Sequence, residues 1–448
     1  MLHDSRFLKK ALMIACPVAL QGMLNTVVNL VDTLMIGSLG ATAIAAVGLA
    51  NKFFFVFSLL VFGIVSGGGV LAAQFWGSGD VKSIRKVLGL SILLAMGGAL
   101  FFVLPGLFAP GMVMRIFTTS RESIGLGAQY LRIAVLTYPF IALTNVYVAM
   151  LRAVNRVTVP VITSCIAIVV NIVLNYILIF GKLGVPALGV KGAALATLLA
   201  RVLEISLVLF YVYGKKMPVA SSFQGLFGWS GAFIRRFIET SGPVIANEFM
   251  WGLGTTMYSL AYGRMGDDAV AAITIATTIQ DIVIVLFQGL SAATAVILGN
   301  ELGAGKLKRA ETYATHFFIL QTMVSAAAAL LVIAIRWPII GLYQITPEVA
   351  ANVSRCILVF AAYMPAKTFN FVNVVGVLRS GGDTKMCLFL DTSGVWLIGV
   401  PLAFLGALVW KLPIYQVYAL VLSEEVYKAI LGYIRYRQKK WLRNLTAV

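Results

Sequence analysis

The residues best suited to chemistry in this 448-residue chain are few, and they lie in apolar surroundings. Gln21, Asn25, Asn29 and Asp32 follow one another through the run that begins near Ala11 and ends near Ile36. On a helix, Asn25, Asn29 and Asp32 share one face. Asn171 and Asn175 form an i,i+4 pair in another apolar run, and Thr197 stands in the next one. A carboxylate, two amides and a hydroxyl are hard oxygen donors, the kind a small alkali cation takes. Spacing alone does not bring them together, and each group could equally hold one helix to another. The chemistry on offer is binding and exchange of ions or protons rather than catalysis. Two histidines, His3 and His316, give no His-cluster metal site, and no Gly-x-Ser-x-Gly elbow occurs. Cys16, Cys165, Cys356 and Cys387 all fall in apolar runs and read as buried thiols. The chain is therefore read as a non-enzyme that needs no cofactor.

A second set lies further along the chain. It comprises Glu248, then Asp281 and Gln288 on one stripe with Thr274 and Thr278, then Lys367 and Asn370, and finally Asp391. An ionised side chain in an apolar span is costly unless it is paired or faces a cavity. The expected solution is a cluster in which Glu248 or Asp281 holds Lys367. Arg201 and Glu204, spaced i,i+3, read as a structural pair.

The elements that carry these groups follow from composition. Hydrophobic residues make up 60% of the chain and charged residues 12%, with a mean hydropathy of +0.94. Ordinary soluble domains have about 45–50% apolar and about 25% charged residues. A soluble fold has too little polar cover here, so the chain is an all-α polytopic membrane protein. Cutting at charges, Gly and Pro gives twelve transmembrane helices, near 10–37, 43–75, 84–109, 122–151, 157–180, 188–213, 232–263, 268–299, 308–335, 347–378, 385–409 and 413–435. Assigning Lys and Arg to alternate sides of these spans puts 22 on one side and 7 on the other. The positive-inside rule then predicts cytoplasmic termini in an inner (cytoplasmic) membrane, and assigns the +18 net charge to topology rather than to nucleic acid. The first run is long enough to span and stay, so no cleaved leader is expected.

The two halves of the chain repeat. Pro17–Lys82 aligns without a gap on Pro243–Lys308, at an offset of 226. Five glycines pair across it: Gly37/Gly263, Gly40/Gly266, Gly63/Gly289, Gly77/Gly303 and Gly79/Gly305. Six spans per half make this a parallel repeat. It predicts two six-helix lobes, 1–214 and 231–448, joined by a cytoplasmic linker over 215–230 and facing each other across a cleft. Gln21, Asn25, Asn29 and Lys52 are assigned to the first-lobe cleft; Glu248, Asp281, Gln288, Lys367 and Asn370 to the second. Pro17 and Pro243 each remove one backbone hydrogen bond and permit a bend. Gly67-Gly68-Gly69 reads either as close helix packing or as a flexible gate.

Several of these segments resemble the multidrug and toxic compound extrusion (MATE) family. Val31-Asp32-Thr33-Leu34-Met35-Ile36-Gly37 looks like its first-helix signature, and Gly77-Ser78-Gly79-Asp80 like its second-to-third loop. Leu378-Arg379-Ser380-Gly381-Gly382-Asp383-Thr384 is similar to its Leu-Arg-Gly-x-Gly-Asp-Thr motif. Leu151-Arg152-Ala153-Val154-Asn155 is a degenerate copy followed by Pro160, whose counterpart in the second half is Cys387. The resemblance implies an antiporter that exports small amphipathic, often cationic compounds in exchange for Na⁺ or H⁺, rocking between outward-open and inward-open states. It implies a cation site at Asp32, Asn171, Asn175 and Thr197, with Asn175 standing where the family pattern has a second carboxylate. Another branch uses an acidic residue of the seventh helix, here Glu248. Asp32 is the expected coupling residue, and the protein is expected as a monomer in the lipid bilayer with no nucleic-acid partner. The runner-up is a lipid-linked oligosaccharide flippase of related architecture, whose cleft would be strongly basic.

Overall fold

The computed structural model describes residues 5–446, so His3 lies outside the described residues. Twelve long helices carry the described chain: α1 (Ser5–Gly37), α2 (Ala41–Ser78), α3 (Val81–Phe108), α4 (Arg121–Ala153), α5 (Thr158–Phe180), α6 (Val190–Gly214), α7 (Gly231–Gly263), α8 (Asp267–Gly303), α9 (Leu307–Ile340), α10 (Pro347–Leu378), α11 (Thr384–Val409) and α12 (Ile414–Arg437). Their ends lie within a few residues of the expected spans. Ten are long and apolar enough to cross a membrane. The other two, α7 and α12, are as long but more polar: α7 carries Asn247 and Glu248, and α12 carries Glu424, Glu425 and Lys428.

The repeat is visible in local geometry. The turns before α2 and α8 run through Gly40 (φ 112°) and Gly266 (φ 103°), equivalent positions in a conformation that side chains resist. Asp80 caps α3, accepting from the Ser83 backbone N–H at 3.0 Å and from its hydroxyl at 2.6 Å. Two helices change pitch partway. α10 widens into a π-helix over Phe371–Leu378, just after Asn370, and α11 does so over Gly394–Gly399, just after Asp391. Such widenings are frequent at functional sites.

The chain forms two compact units. One is Leu20–Ile245; the other takes in the chain up to Ala19 and from Ala246 onward. Each boundary falls inside a continuous helix, two residues after Pro17 in α1 and after Pro243 in α7. Glycine contacts explain this division. In the 20–245 unit, a Cβ on Gly63 would stand 2.6 Å from the Ile245 Cα, and one on Gly67 would stand 2.2 Å from the Ser241 Oγ. α2 therefore lies directly on the opening half of α7. In the other unit, a Cβ on Gly289 of α8 would meet the Ala15 carbonyl at 2.4 Å and Ala19 at 3.0 Å. Gly289 against Ala19 is the Gly63–Ile245 contact moved by 226 residues, and Ala15 stands where the second half has Ser241. The second helix of each half thus packs on the opening half of the other half's first helix, through small residues that let backbones approach.

Within the 20–245 unit, residues 215–230 lie along the start of α3. Trp229 donates to the Lys86 carbonyl at 3.0 Å, and Arg85 to the Pro218 carbonyl at 3.2 Å. The core of this unit includes Phe57 stacked on Tyr138, with centroids 4.5 Å apart. In the other unit Phe7 packs on Tyr313 and Phe317 at 5.0 and 4.9 Å.

Candidate functional site

Asp32, near the end of α1, meets the polar face of α5. The i,i+4 spacing puts Asn171 and Asn175 on one side of that helix, and both are buried. The Asn175 amide N–H donates to Asp32 Oδ1 at 2.6 Å and to Asn171 Oδ1 at 3.3 Å. The Asn171 amide in turn reaches the Thr197 Oγ1 on α6 at 3.5 Å. A chain of polar groups thus crosses three helices, in the order Asp32, Asn175, Asn171, Thr197. Ile36, Val47, Ile179 and Ala193 form an apolar cluster around its end. Asn175 Oδ1 is buried and accepts no hydrogen bond. Among the described residues, Asp32 has no basic group within salt-bridge distance.

All four residues line a cavity of about 660 Å³ that lies wholly within the 20–245 unit. Gln21, Asn25 and Asn29 continue the polar wall along α1, while Phe54, Tyr130 and Tyr138 supply aromatic surface. Lys52 is exposed on α2 and is not part of the lining. A second polar chain contributes Gln21, Ser164 and Glu204 to the lining. Arg152 donates to Gln21 Oε1 at 2.6 Å, Gln21 to the Ser164 hydroxyl at 2.8 Å, and Ser164 to Glu204 Oε1 at 2.7 Å. Glu204 also holds Arg201, 2.6 Å away. Arg201 is the basic residue of the lining, and Glu204 compensates it. The cavity therefore combines apolar and aromatic walls with a few polar groups, as small-molecule sites do.

The second set is arranged differently from the expected cluster. Lys367 is held by Glu425 of α12 at 3.0 Å, not by Glu248 or Asp281. Glu248 is held by Arg379 at 2.9 Å. Asn370 donates to the Glu425 carboxylate at 2.9 Å and to the Glu425 backbone carbonyl at 2.7 Å. Asp281 and Gln288 are exposed on α8, where Thr274 and Thr278 bond to their own helix. Two acidic groups of α12, Glu424 and Glu425, lie outside the expected set, and Glu425 takes the lysine. Glu424 and Glu425 sit with Lys428 at i,i+4 and i,i+3 in the last apolar run, and that spacing was the available signal. Arg379, which falls between the expected spans 347–378 and 385–409, has a side chain only 1% exposed.

The chain is similar to known proteins over most of its length. The MatE family model matches residues 17–177 and 243–405, two segments that begin at the repeated prolines. An uncharacterized transporter, YisQ of Bacillus subtilis, is 22% identical over 437 residues, covering 96% of this chain and 94% of that protein. A probable multidrug resistance protein NorM of a Synechocystis species is 28% identical, covering 90% of each. Among solved structures, an outward-facing multidrug resistance MATE transporter of the MOP superfamily gives a TM-score of 0.88 at 20% identity, with 96% of this chain and 95% of that one covered. A MOP superfamily transporter from Pyrococcus furiosus gives 0.88 at 20% identity, covering 98% and 97%. With both of its halves matched, the chain belongs to the MatE family and is a MATE transporter.

Proposed function

We propose that this transporter exports small amphipathic, cationic compounds in exchange for H⁺ or Na⁺, by alternating access of two six-helix lobes in the inner membrane. Both termini are then cytoplasmic and the working unit is a monomer. Relatives named as multidrug resistance proteins, in Synechocystis and in Pseudomonas aeruginosa, support the substrate class. The observation that carries the coupling is Asp32 itself. It is a carboxylate in the wall of a cavity, without a basic partner, beside an amide whose oxygen has no donor. A proton or a small cation completes that arrangement. Asn171 and Thr197 add neutral oxygens only, so the site offers one formal negative charge. Fewer charged ligands hold a bare cation less tightly, and H⁺ suits the site at least as well as Na⁺.

Antiport requires that ion and substrate favour different states, since a ligand indifferent to both shifts nothing. A cation at Asp32 and a cationic substrate in the same cavity compete for one negative charge. The test is efflux from reconstituted vesicles under an imposed pH or Na⁺ gradient. Asp32→Asn is expected to lose gradient-driven export while retaining some substrate binding. Full export by that variant would refute the reading. Movement of a lipid-linked oligosaccharide that ignores both gradients would favour a flippase instead.

A further inference from the structure

Between α9 and α12, within the unit that resumes at Ala246, lies a groove of about 660 Å³. Helix α10 packs against both of these helices, and its Phe369 meets Phe318 of the groove wall at 4.9 Å. Glu311, Thr315, Ile319 and Met323, each four residues after the last, line the groove from α9. They share one face and run from a charged end to an apolar one. The rise over these twelve steps is about 18 Å, close to one leaflet of a hydrocarbon core about 30 Å thick. Ile319, Met323 and Tyr433 are exposed, so in a membrane this wall faces lipid. At the charged end the Thr315 and Tyr436 hydroxyls lie 3.0 Å apart, and Lys439 holds Glu311 at 2.7 Å.

The charged end is short of an anion. Arg437 lines the groove and makes no ion pair among the described residues. Lys440, exposed and next to Lys439 in the chain, makes none either. The Trp441 side chain is fully buried and lines the groove, yet its indole N–H has no acceptor. One carboxylate, Glu311, stands against two cations, Arg437 and Lys439, so the lining carries one net positive charge. A guanidinium and an indole donor without acceptors, beside a long apolar wall, match a phosphate ester attached to an acyl chain. A cationic amphiphile would meet a like charge here, and a zwitterionic lipid would bring its own cation to a rim already positive.

The repeat shows that this face is one the fold otherwise covers. Helices α3 and α9 start at equivalent residues, Val81 and Leu307, 226 apart. The matching face of α3 carries the 215–230 segment. Arg85 donates to the Pro218 carbonyl at 3.2 Å, Trp229 donates to the Lys86 carbonyl at 3.0 Å, and the Leu226 backbone lies so close to Gly89 that no Cβ would fit there. Glu311 and Thr315 occupy the places of Arg85 and Gly89. On α9 a side chain therefore stands where the segment comes nearest on α3. The residues after α12 run elsewhere: the Trp441 carbonyl lies against Gly381, and Asn444 donates to the Gly303 carbonyl at 3.3 Å.

We propose that this groove is a binding site for one anionic phospholipid, its phosphate on Arg437 and Trp441 and an acyl chain along Ile319 and Met323. The lipid takes on α9 the place that the 215–230 segment takes on α3, and ties the ends of α9 and α12 together. The proposed topology puts it in the cytoplasmic leaflet. Its binding depends neither on that topology nor on antiport.

The experiment is native mass spectrometry of the purified full-length transporter in detergent, with phosphatidylglycerol or phosphatidylcholine added at equal concentration. The expected result is one phosphatidylglycerol retained in preference to phosphatidylcholine. Arg437→Gln should weaken that retention about fivefold, the contribution of one basic residue near an anionic lipid. Arg437→Lys should recover part of it, because an ammonium keeps the charge without the planar fork. Ile319→Trp, which fills the apolar wall and leaves every charge in place, should weaken retention as well. Lys82→Gln, on the matching helix of the first half, should leave it unchanged. Arg437 and Ile319 are exposed, so all variants should melt like the parent protein without added lipid, which guards against a folding artefact. Equal retention of the two lipids, or phosphatidylglycerol retention unchanged in both Arg437→Gln and Ile319→Trp, would overturn the proposal. Displacement of the lipid by inorganic phosphate would make this a free-anion site and overturn it too. A lipid-free dimer broken by Ile319→Trp would give the groove to a second copy of the chain instead.

Discussion

Arg379 and Glu248 lie 131 residues apart in the chain and 2.9 Å apart in space, and Arg152 and Gln21 repeat the relationship over the same 131 residues at 2.6 Å. Each arginine follows the last leucine of its half's fourth helix. Each reaches back to its own half's first helix, just beyond the point where that helix passes from one compact unit to the other. The pair is a clamp on the second half of a first helix whose opening half packs elsewhere.

Removing the Arg379 end of that clamp leaves Glu248 without its partner in an enclosed place. Such a loss typically costs about 3–5 kcal/mol. Arg379→Gln is expected to lower thermal stability in detergent by that order. Arg379→Lys should recover only part, because an ammonium lacks the planar fork of the guanidinium. Adding Glu248→Gln to Arg379→Gln should restore stability. An additive double variant would show that the two residues do not act together.

The packing of α2 on α7 predicts a sharp contrast between neighbouring glycines. A Cβ on Gly67 would stand 2.5 Å from the Ser241 Cα, whereas one on Gly69 would meet nothing within 4 Å. Gly67→Val should destabilise by roughly 1–3 kcal/mol through overpacking, and Gly69→Val should be close to neutral. Thermal unfolding of the two variants decides this. Equal stability would argue that the triplet is a flexible gate rather than a packing surface at its first glycine.

Pro17 and Pro243 each stand two residues before a unit boundary, where a missing backbone hydrogen bond makes bending easy. Pro17→Ala and Pro243→Ala should slow transport turnover more than they reduce the yield of folded protein. Turnover measured per folded molecule in vesicles tests this, and unchanged rates in both variants would contradict it.

Asn175 donates to Asp32 but adds no charge. Asn175→Asp supplies a second carboxylate to the same cluster and should strengthen the dependence of export on a Na⁺ gradient. Asn175→Leu should weaken ion dependence altogether. Efflux assayed at several Na⁺ concentrations and fixed pH distinguishes the two, and an unaltered Na⁺ response in Asn175→Asp would remove Asn175 from the ion site.

What the sequence determined by itself is what local patterning controls. Apolar runs broken by charges and glycines set the twelve helices, because each must bury or expose its length as a unit. The repeat set Gly40 and Gly266 at equivalent turns. The short polar face of α5 was legible because i,i+4 spacing fixes which residues share a side. Tertiary structure alone decided who meets whom. Lys367 had several carboxylates available to it along the chain, and only the packing of α10 on α12 selected Glu425. Arg379 reads as a connector residue until folding turns it inward onto Glu248. The unit boundaries inside α1 and α7 break neither helix; Pro17 and Pro243 mark where each can bend but not what either half packs on. Small residues far away in sequence, Gly63, Gly67 and Gly289, make those divisions, and their effect exists only once two backbones are close enough for a single Cβ to collide.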